Sequence, residues 1–252
     1  MTGNHRHLKI QDHPAHPTPQ PPVPGTLPVT IHLSNFTCHN ADEDNFYSNG
    51  DEPYLFVAAI YADGTTIQLA NLANAKVRIK SPSKTHGNLG RTRVKARNSF
   101  AIPAATGLFS TSILPIAGLP DNLGKEKSTV GLIVIAMEED ATKTSAANAG
   151  QQALVNVLQK ELTNAVRTVS ALDVDTLRTK LSSAIRQAIK KESLSSITGI
   201  FSFVDPDDYI GADFAIWSYQ QIENAGSQGM PISMNFKKSG VHYQITGSIR
   251  AF

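Results

Sequence analysis

Only one cysteine, Cys38, occurs among 252 residues. The chain can therefore form no internal disulfide and cannot supply a cysteine set for structural zinc. Charge of one sign is also scarce. The net charge is +2, and no stripe of basic and aromatic side chains appears, which speaks against nucleic acid as a partner. The longest strongly apolar run, Val130 to Met137, is too short to cross a bilayer as a helix. There is no G-x-S-x-G elbow, no H-E-x-x-H helix and no G-x-G-x-x-G fingerprint. The stretch GLPDNLGKEKS (118–128) spaces its glycines one residue too widely for a phosphate loop, and Lys125 is followed by Glu126. With no nucleophile or base nominated, an enzyme is not the expectation. The amino-terminal stretch MTGNHRHLKIQDHPAHPTPQPPVPG lacks the continuous apolar core of a secretory signal. The expectation is a cytoplasmic protein, or one released without a conventional signal.

Composition is 40% hydrophobic and 17% charged, enough for a real core. Residues 1–28 are rich in Pro and His and read as a disordered tail. His5, His7, His13 and His16 could take up a transition metal ion there, against the blander reading of a polar leader. Asn35-Phe36-Thr37 matches a glycosylation acceptor, a reading that requires secretion. From residue 29 to 252 a single domain is expected, beginning with short alternating or apolar runs broken by turn residues. VTIHLSNFTC (29–38), PYLFVAAIYA (53–62), TTIQLAN (65–71), AKVRIKS (75–81), GLFSTSILPI (107–116) and TVGLIVIAM (129–137) read as strands. Together they predict a mainly β, antiparallel sandwich or barrel.

Between about 145 and 192 the hydrophobic period changes to 3.6. Leu154, Leu158, Leu162, Ala165 and Val169 form one stripe, and Val174, Leu177, Leu181, Ala184, Ile185 and Ala188 a second. The pattern predicts two amphipathic helices joined by the short turn SALD, an inserted helical hairpin with Asp173 or Ser170 as a cap. Arg178, Lys180, Arg186, Lys190 and Lys191 make the second helix basic on its polar side. That face is either simply solvated or a contact surface for a membrane or a protein partner. ITGIFSFV (197–204), DFAIWSYQQI (213–222), PISMNFK (231–237) and HYQITGSIRAF (242–252) return to strand character, so helices are expected nowhere else.

Acidic residues gather at three predicted strand ends. Asp42, Glu43 and Asp44 with Asp51 and Glu52 form one group; Glu138, Glu139 and Asp140 a second; Asp205, Asp207 and Asp208 a third. Calcium takes six to eight oxygen ligands, which loops at one end of a sandwich can supply. Crowded carboxylates without a cation raise one another's pKa at an electrostatic cost. The candidate metal ligands are Asp42, Asp44, Asp51, Glu52, Glu138, Asp140, Asp205, Asp207 and Asp208, with Ca2+ as the ion. The single thiol has no catalytic partner in sight: Cys38 and His39, adjacent on a strand, face opposite sides.

NADEDNFYSNGDEPYLFV resembles the first calcium loop of the C2 domain, the calcium- and lipid-binding β-sandwich. GLIVIAMEED is similar to the strand entering that family's third calcium loop, PDDYIGADFAI to its exit, and YQITGSIRAF to its final strand. The resemblance covers roughly residues 29–140 and 198–252, and it implies a C2-like sandwich with the helical hairpin inserted in the third loop. Glu52 stands where the family prefers Asp, and Glu138 and Asp140 replace an Asp-x-Asp pair. GDEPYL, HGNLG (86–90) and MEED also look like a group of uncharacterised bacterial proteins, a likeness that supplies no activity.

The leading expectation is a calcium-dependent binding module that contacts lipid or a protein partner. Two others stand beside it. One is a membrane-active, toxin-like protein, pore-forming through its hairpin; the other is a structural or self-assembling bacterial protein.

Overall fold

The computed structural model describes residues 25–41, 50–91, 93–139, 144–171, 173–195 and 208–252. The first half holds β1 (Leu27–Asn40), β2 (Pro53–Ala62), β3 (Arg78–Lys80), β4 (Ser99–Ala101), α1 (Ala104–Gly107) and β5 (Leu108–Ile113). Next come α2 (Asp121–Lys127), β6 (Thr129–Glu138) and the two long helices, α3 (Thr144–Thr168) and α4 (Val174–Ser195). The chain closes with β7 (Asp208–Ser218), α5 (Tyr219–Ala225), β8 (Met230–Lys238) and β9 (Val241–Ala251). Two antiparallel sheets result. One has the order β4-β1-β9-β8, with β5 also on β1, and the other runs β3-β2-β6-β7.

The sheets share one core. Leu55, Val57, Ala59 and Tyr61 of β2 and Val130, Leu132, Val134 and Ala136 of β6 meet Ile31, Leu33, Phe36, Tyr243, Ile245 and Ile249 from the other sheet. The intervening residues of β2 and β6, including Tyr54, Phe56, Ile133, Ile135 and Met137, face the opposite way. There they meet Leu154 and Leu158 of α3 and Leu181, Ile185 and Ile189 of α4. This is why both strands read as unbroken apolar runs: each is buried on two faces. In the first sheet, by contrast, β9 alternates. Val241, Tyr243 and Ile245 point inward, while His242 and Gln244 are only half-buried.

The two helices lie between β6 and β7, yet those strands pair directly, from Thr129↔Ser218 to Glu138↔Asp208. Asp173 caps α4, its Oδ1 accepting from the backbone N–H of Asp175 and Thr176 at 3.0 and 3.2 Å. α3 ties down the sheet edge with side chains eight residues apart. Gln151 donates to the carbonyl of Val57, Gln159 to Val77, and Arg167 to Ala75, so that carbonyls of β2 beyond its β3 partner and of the segment leading into β3 find donors. Gly150 allows the close approach: a Cβ there would lie 2.9 Å from Ile189 Cγ1 and 3.0 Å from Phe56 Cζ.

Three expectations are corrected. TTIQLAN is not a strand but a turn leading into a 3-10 helix at Leu69–Asn74. Asp63 captures the backbone: its Oδ1 takes Thr65 N–H at 2.8 Å and its carbonyl takes Thr66 and Ile67 N–H. Helices are not confined to 145–192, since α1, α2 and α5 lie outside. The strand expected over 213–222 stops at Ser218, where a capping box starts α5: Ser218 Oγ accepts from Gln221 N–H, and the Gln221 side chain accepts from Ser218 N–H. The expected strand 197–204 and the tail through residue 24 lie outside the described residues.

Candidate functional site

Pairing fixes where the acidic segments meet. Pro53, the first residue of β2, is opposite Glu138, the last of β6, and Glu138 is opposite Asp208, the first of β7. The ladder continues one step beyond the strands, with Glu139 N–H donating to the Glu52 carbonyl at 3.0 Å. The segments holding all three acidic groups thus leave the sheet at the same end. Asp42, Asp44, Asp140, Asp205 and Asp207 lie outside the described residues, and Asp208 is described in its backbone alone.

The described carboxylates have defined partners. Asp51 has no exposed surface and accepts a hydrogen bond of 2.5 Å from the Tyr243 hydroxyl. Its backbone bridges Val94 in both directions, at 3.0 and 2.8 Å. Tyr243 belongs to β9, so this bond joins the two sheets. Burial, first, and then the hydrogen bond and charge of Asp51 push the phenol far up, which keeps it a proton donor. Glu52 Oε1 accepts from Arg93 Nε at 2.9 Å. Glu139 Oε1 lies 3.3 Å from His86 Nδ1, and the His86 ring packs edge-on against Tyr54. Glu138 is buried at the strand end. Asp213, five residues beyond Asp208, sits within β7. Its Oδ2 accepts from Asn235 N–H of β8 at 3.1 Å, a second tie between the sheets.

The HGNLG segment (86–90) acts as a strut beside this end. Asn88 accepts from Leu55 N–H at 3.1 Å and donates to the Leu55 carbonyl at 2.6 Å, standing in for a neighbouring strand. Cys38 is buried and His39 exposed, as alternation requires. The His39 ring instead packs on His242, with centroids 4.5 Å apart. Burial, then the nearby Lys237 and His39, hold the His242 pKa below its ordinary value.

At the other end of β2 a second buried aspartate appears that the sequence did not single out. Asp63 Oδ2 accepts from Arg78 Nη2 at 2.6 Å, and Arg78 lies over the Tyr61 ring, 5.3 Å from its centroid. Burial, the largest influence, pushes the Tyr61 phenol up to about 12. The local signal for Asp63 was its Asp-Gly-Thr-Thr context, the pattern of a side-chain-capped turn.

Among the described residues, no group of three or more His, Cys, Asp or Glu side chains is placed to hold a metal ion. None of the described helices is long and apolar enough to cross a membrane. The chain matches no family model, no curated protein and no solved structure.

Proposed function

We propose that the protein is a C2-like binding module whose acidic end takes up calcium and, through it, contacts lipid or a protein partner. The observation carrying this reading is the register Pro53↔Glu138↔Asp208, which makes three acidic segments leave one sheet side by side. In this reading Asp42, Asp44, Asp140, Asp205, Asp207 and Asp208 supply ligand oxygens. Glu52 and Glu138 border the site, and Asp51, held by Tyr243, fixes the loop base. Hard oxygen ligands from several loops suit calcium better than magnesium, which demands a tighter octahedron and gives up water reluctantly.

Titration calorimetry tests the reading: calcium should bind saturably, and an Asp207→Asn/Asp208→Asn variant should lose that heat. A calorimetric baseline with wild-type protein in millimolar calcium would refute it. The toxin-like alternative, in which the helical hairpin detaches, has a steep requirement. Leu154, Leu158, Leu181 and Ile185 have no exposed surface, and detachment would uncover them together with the outer face of the sheet.

A further inference from the structure

Away from the acidic segments, α3 and α4 leave part of the outer face of the β3-β2-β6-β7 sheet uncovered. A cleft of about 570 Å³ remains there, between the sheet, the 3-10 turn at Leu69–Asn74 and the far end of α3. That volume is typical of sites that hold a small organic ligand. Ile60, Ile133 and Phe214 form its floor, and Leu72, Leu162 and Val166 its walls. Its polar lining side chains are Lys127, Thr129 and Ser170, and no carboxylate lines it among the described residues. Leu69, Val169 and Ile216 remain exposed at its rim, 43%, 79% and 62% respectively.

Val169 is unusual for a second reason. It occupies the left-handed conformation, with φ of 51°, at the position just past α3. The bonds Ser170 N–H to the Ala165 carbonyl and Val169 N–H to the Val166 carbonyl define a helix-ending motif in which glycine usually sits there. A β-branched side chain is held in a strained conformation while remaining exposed, and such outliers cluster at ligand sites.

The charge around the cleft sets the sign of its ligand. Lys127 lines the cleft itself, its Nζ 3.2 Å from Glu126 Oε1 in an ion pair whose two side chains are both more than half exposed. Beyond Val77, which borders both, a neighbouring cleft is lined by Lys76, Lys160 and Arg167, and by Arg78, whose guanidinium Asp63 already holds at 2.6 Å. Glu161 is its sole carboxylate among the described residues, and Lys180 already holds it at 2.7 Å. An apolar trough under a positive field fits an amphiphile with a negative head.

We propose that this cleft binds a single-chain amphiphile with an anionic head, the chain lying along Ile60, Ile133 and Phe214 and the head at Lys127. The proposal does not depend on calcium at the opposite end. Dansyl-undecanoic acid serves as the fluorescent probe, with dodecyl phosphate and dodecyltrimethylammonium as competitors below their micelle concentrations.

Saturable probe fluorescence is expected. Dodecyl phosphate should displace the probe at about tenfold lower concentration than the cationic competitor, equivalent to about 1.4 kcal/mol. Ile216→Glu should abolish probe binding, and Lys127→Glu should remove the preference for the anionic head. If Ile216→Glu fails to melt as a folded protein, Ala165→Trp, which narrows the cleft, takes its place. Equal displacement by both competitors overturns the proposal, as does unchanged binding in the variants or no saturable signal. Association solely with vesicles containing phosphatidylglycerol, without binding of the monomeric probe, also overturns it, in favour of a membrane-surface contact.

Discussion

The strand β2 is bracketed by two aspartates with no exposed surface, and the two are held in different ways. Asp51, just before the strand, accepts from a neutral phenol contributed by the opposite sheet. Asp63, just after it, pairs with the guanidinium of Arg78 and takes the N–H of Thr65 as well. Arg78 brings a cation to its carboxylate, whereas Tyr243 brings a neutral hydrogen-bond donor. One end of the strand is therefore locally neutralised and adjoins an apolar cleft under nearby lysines. The other lies where the Glu138 strand end, Glu52 with its Arg93 partner and Glu139 beside His86 come together.

The largest effect should come from breaking the charged pair. Arg78→Met would leave Asp63 buried without its cation, a loss of about 3–5 kcal/mol in denaturant unfolding. A loss below about 1 kcal/mol would show that the two aspartates are not held differently at all. Tyr243→Phe should cost less, about 2 kcal/mol, because the donor removed is neutral and the backbone bridge of Asp51 to Val94 is untouched.

Alkaline titration sharpens the same contrast. Both Tyr243 and Tyr61 have phenols raised above the ordinary value of 10.0, in Tyr61 to about 12. Their contribution to stability is complete below pH 10.0 and is lost as pH rises through the folded values. Phenolate absorbance should therefore show these two tyrosines ionising only above the range of ordinary phenols. Early titration of every tyrosine in the folded protein would contradict this.

A gain is expected at the cleft. Val169→Gly relieves the left-handed strain and should stabilise the protein by about 1 kcal/mol, while removing an apolar group from the rim. Stabilisation without any weakening of amphiphile binding would mean that the valine is incidental to the cleft.

The smallest effect belongs to His242, on the sheet facing the Asp51 end. Its pKa is depressed in the folded protein, so its contribution is present above the ordinary value of 6.5 and lost as pH falls through the depressed folded value. His242→Gln should flatten the acid limb of a stability–pH profile below pH 6.5 and leave the neutral plateau unchanged.

What the sequence revealed follows the range of the physics involved. β2 and β6 were legible to within a residue because burial on two faces demands unbroken runs of apolar residues. The two long helices were legible from their 3.6 period, and Asp173 from the chemistry of capping. α5 was missed because Trp217, Tyr219 and Ile222 give WSYQQI strand-like content. The outweighing signal was Ser218 with Gln221 three residues on, a local capping box. Non-local features left no trace. The Asp51–Tyr243 bond joins residues 192 apart in sequence, and the cleft is assembled from residues between Ile60 and Ile216. The pairing of β6 with both β2 and β7 brings the strand ends that carry Glu52, Glu138 and Asp208 together, a placement that follows from strand neighbours alone.

Thermal melting in calcium of three proteins, wild type, Asp207→Asn/Asp208→Asn and Ile216→Glu, tests the division of labour most directly. At a hundred times Kd, a ligand that binds only the folded state adds about 2.7 kcal/mol, here a rise in Tm of roughly 5–10 °C. The account predicts that rise in the wild type and in Ile216→Glu, and its loss in the double aspartate variant. An unchanged wild-type curve, or a calcium shift that survives in the double variant and disappears in Ile216→Glu, would contradict it.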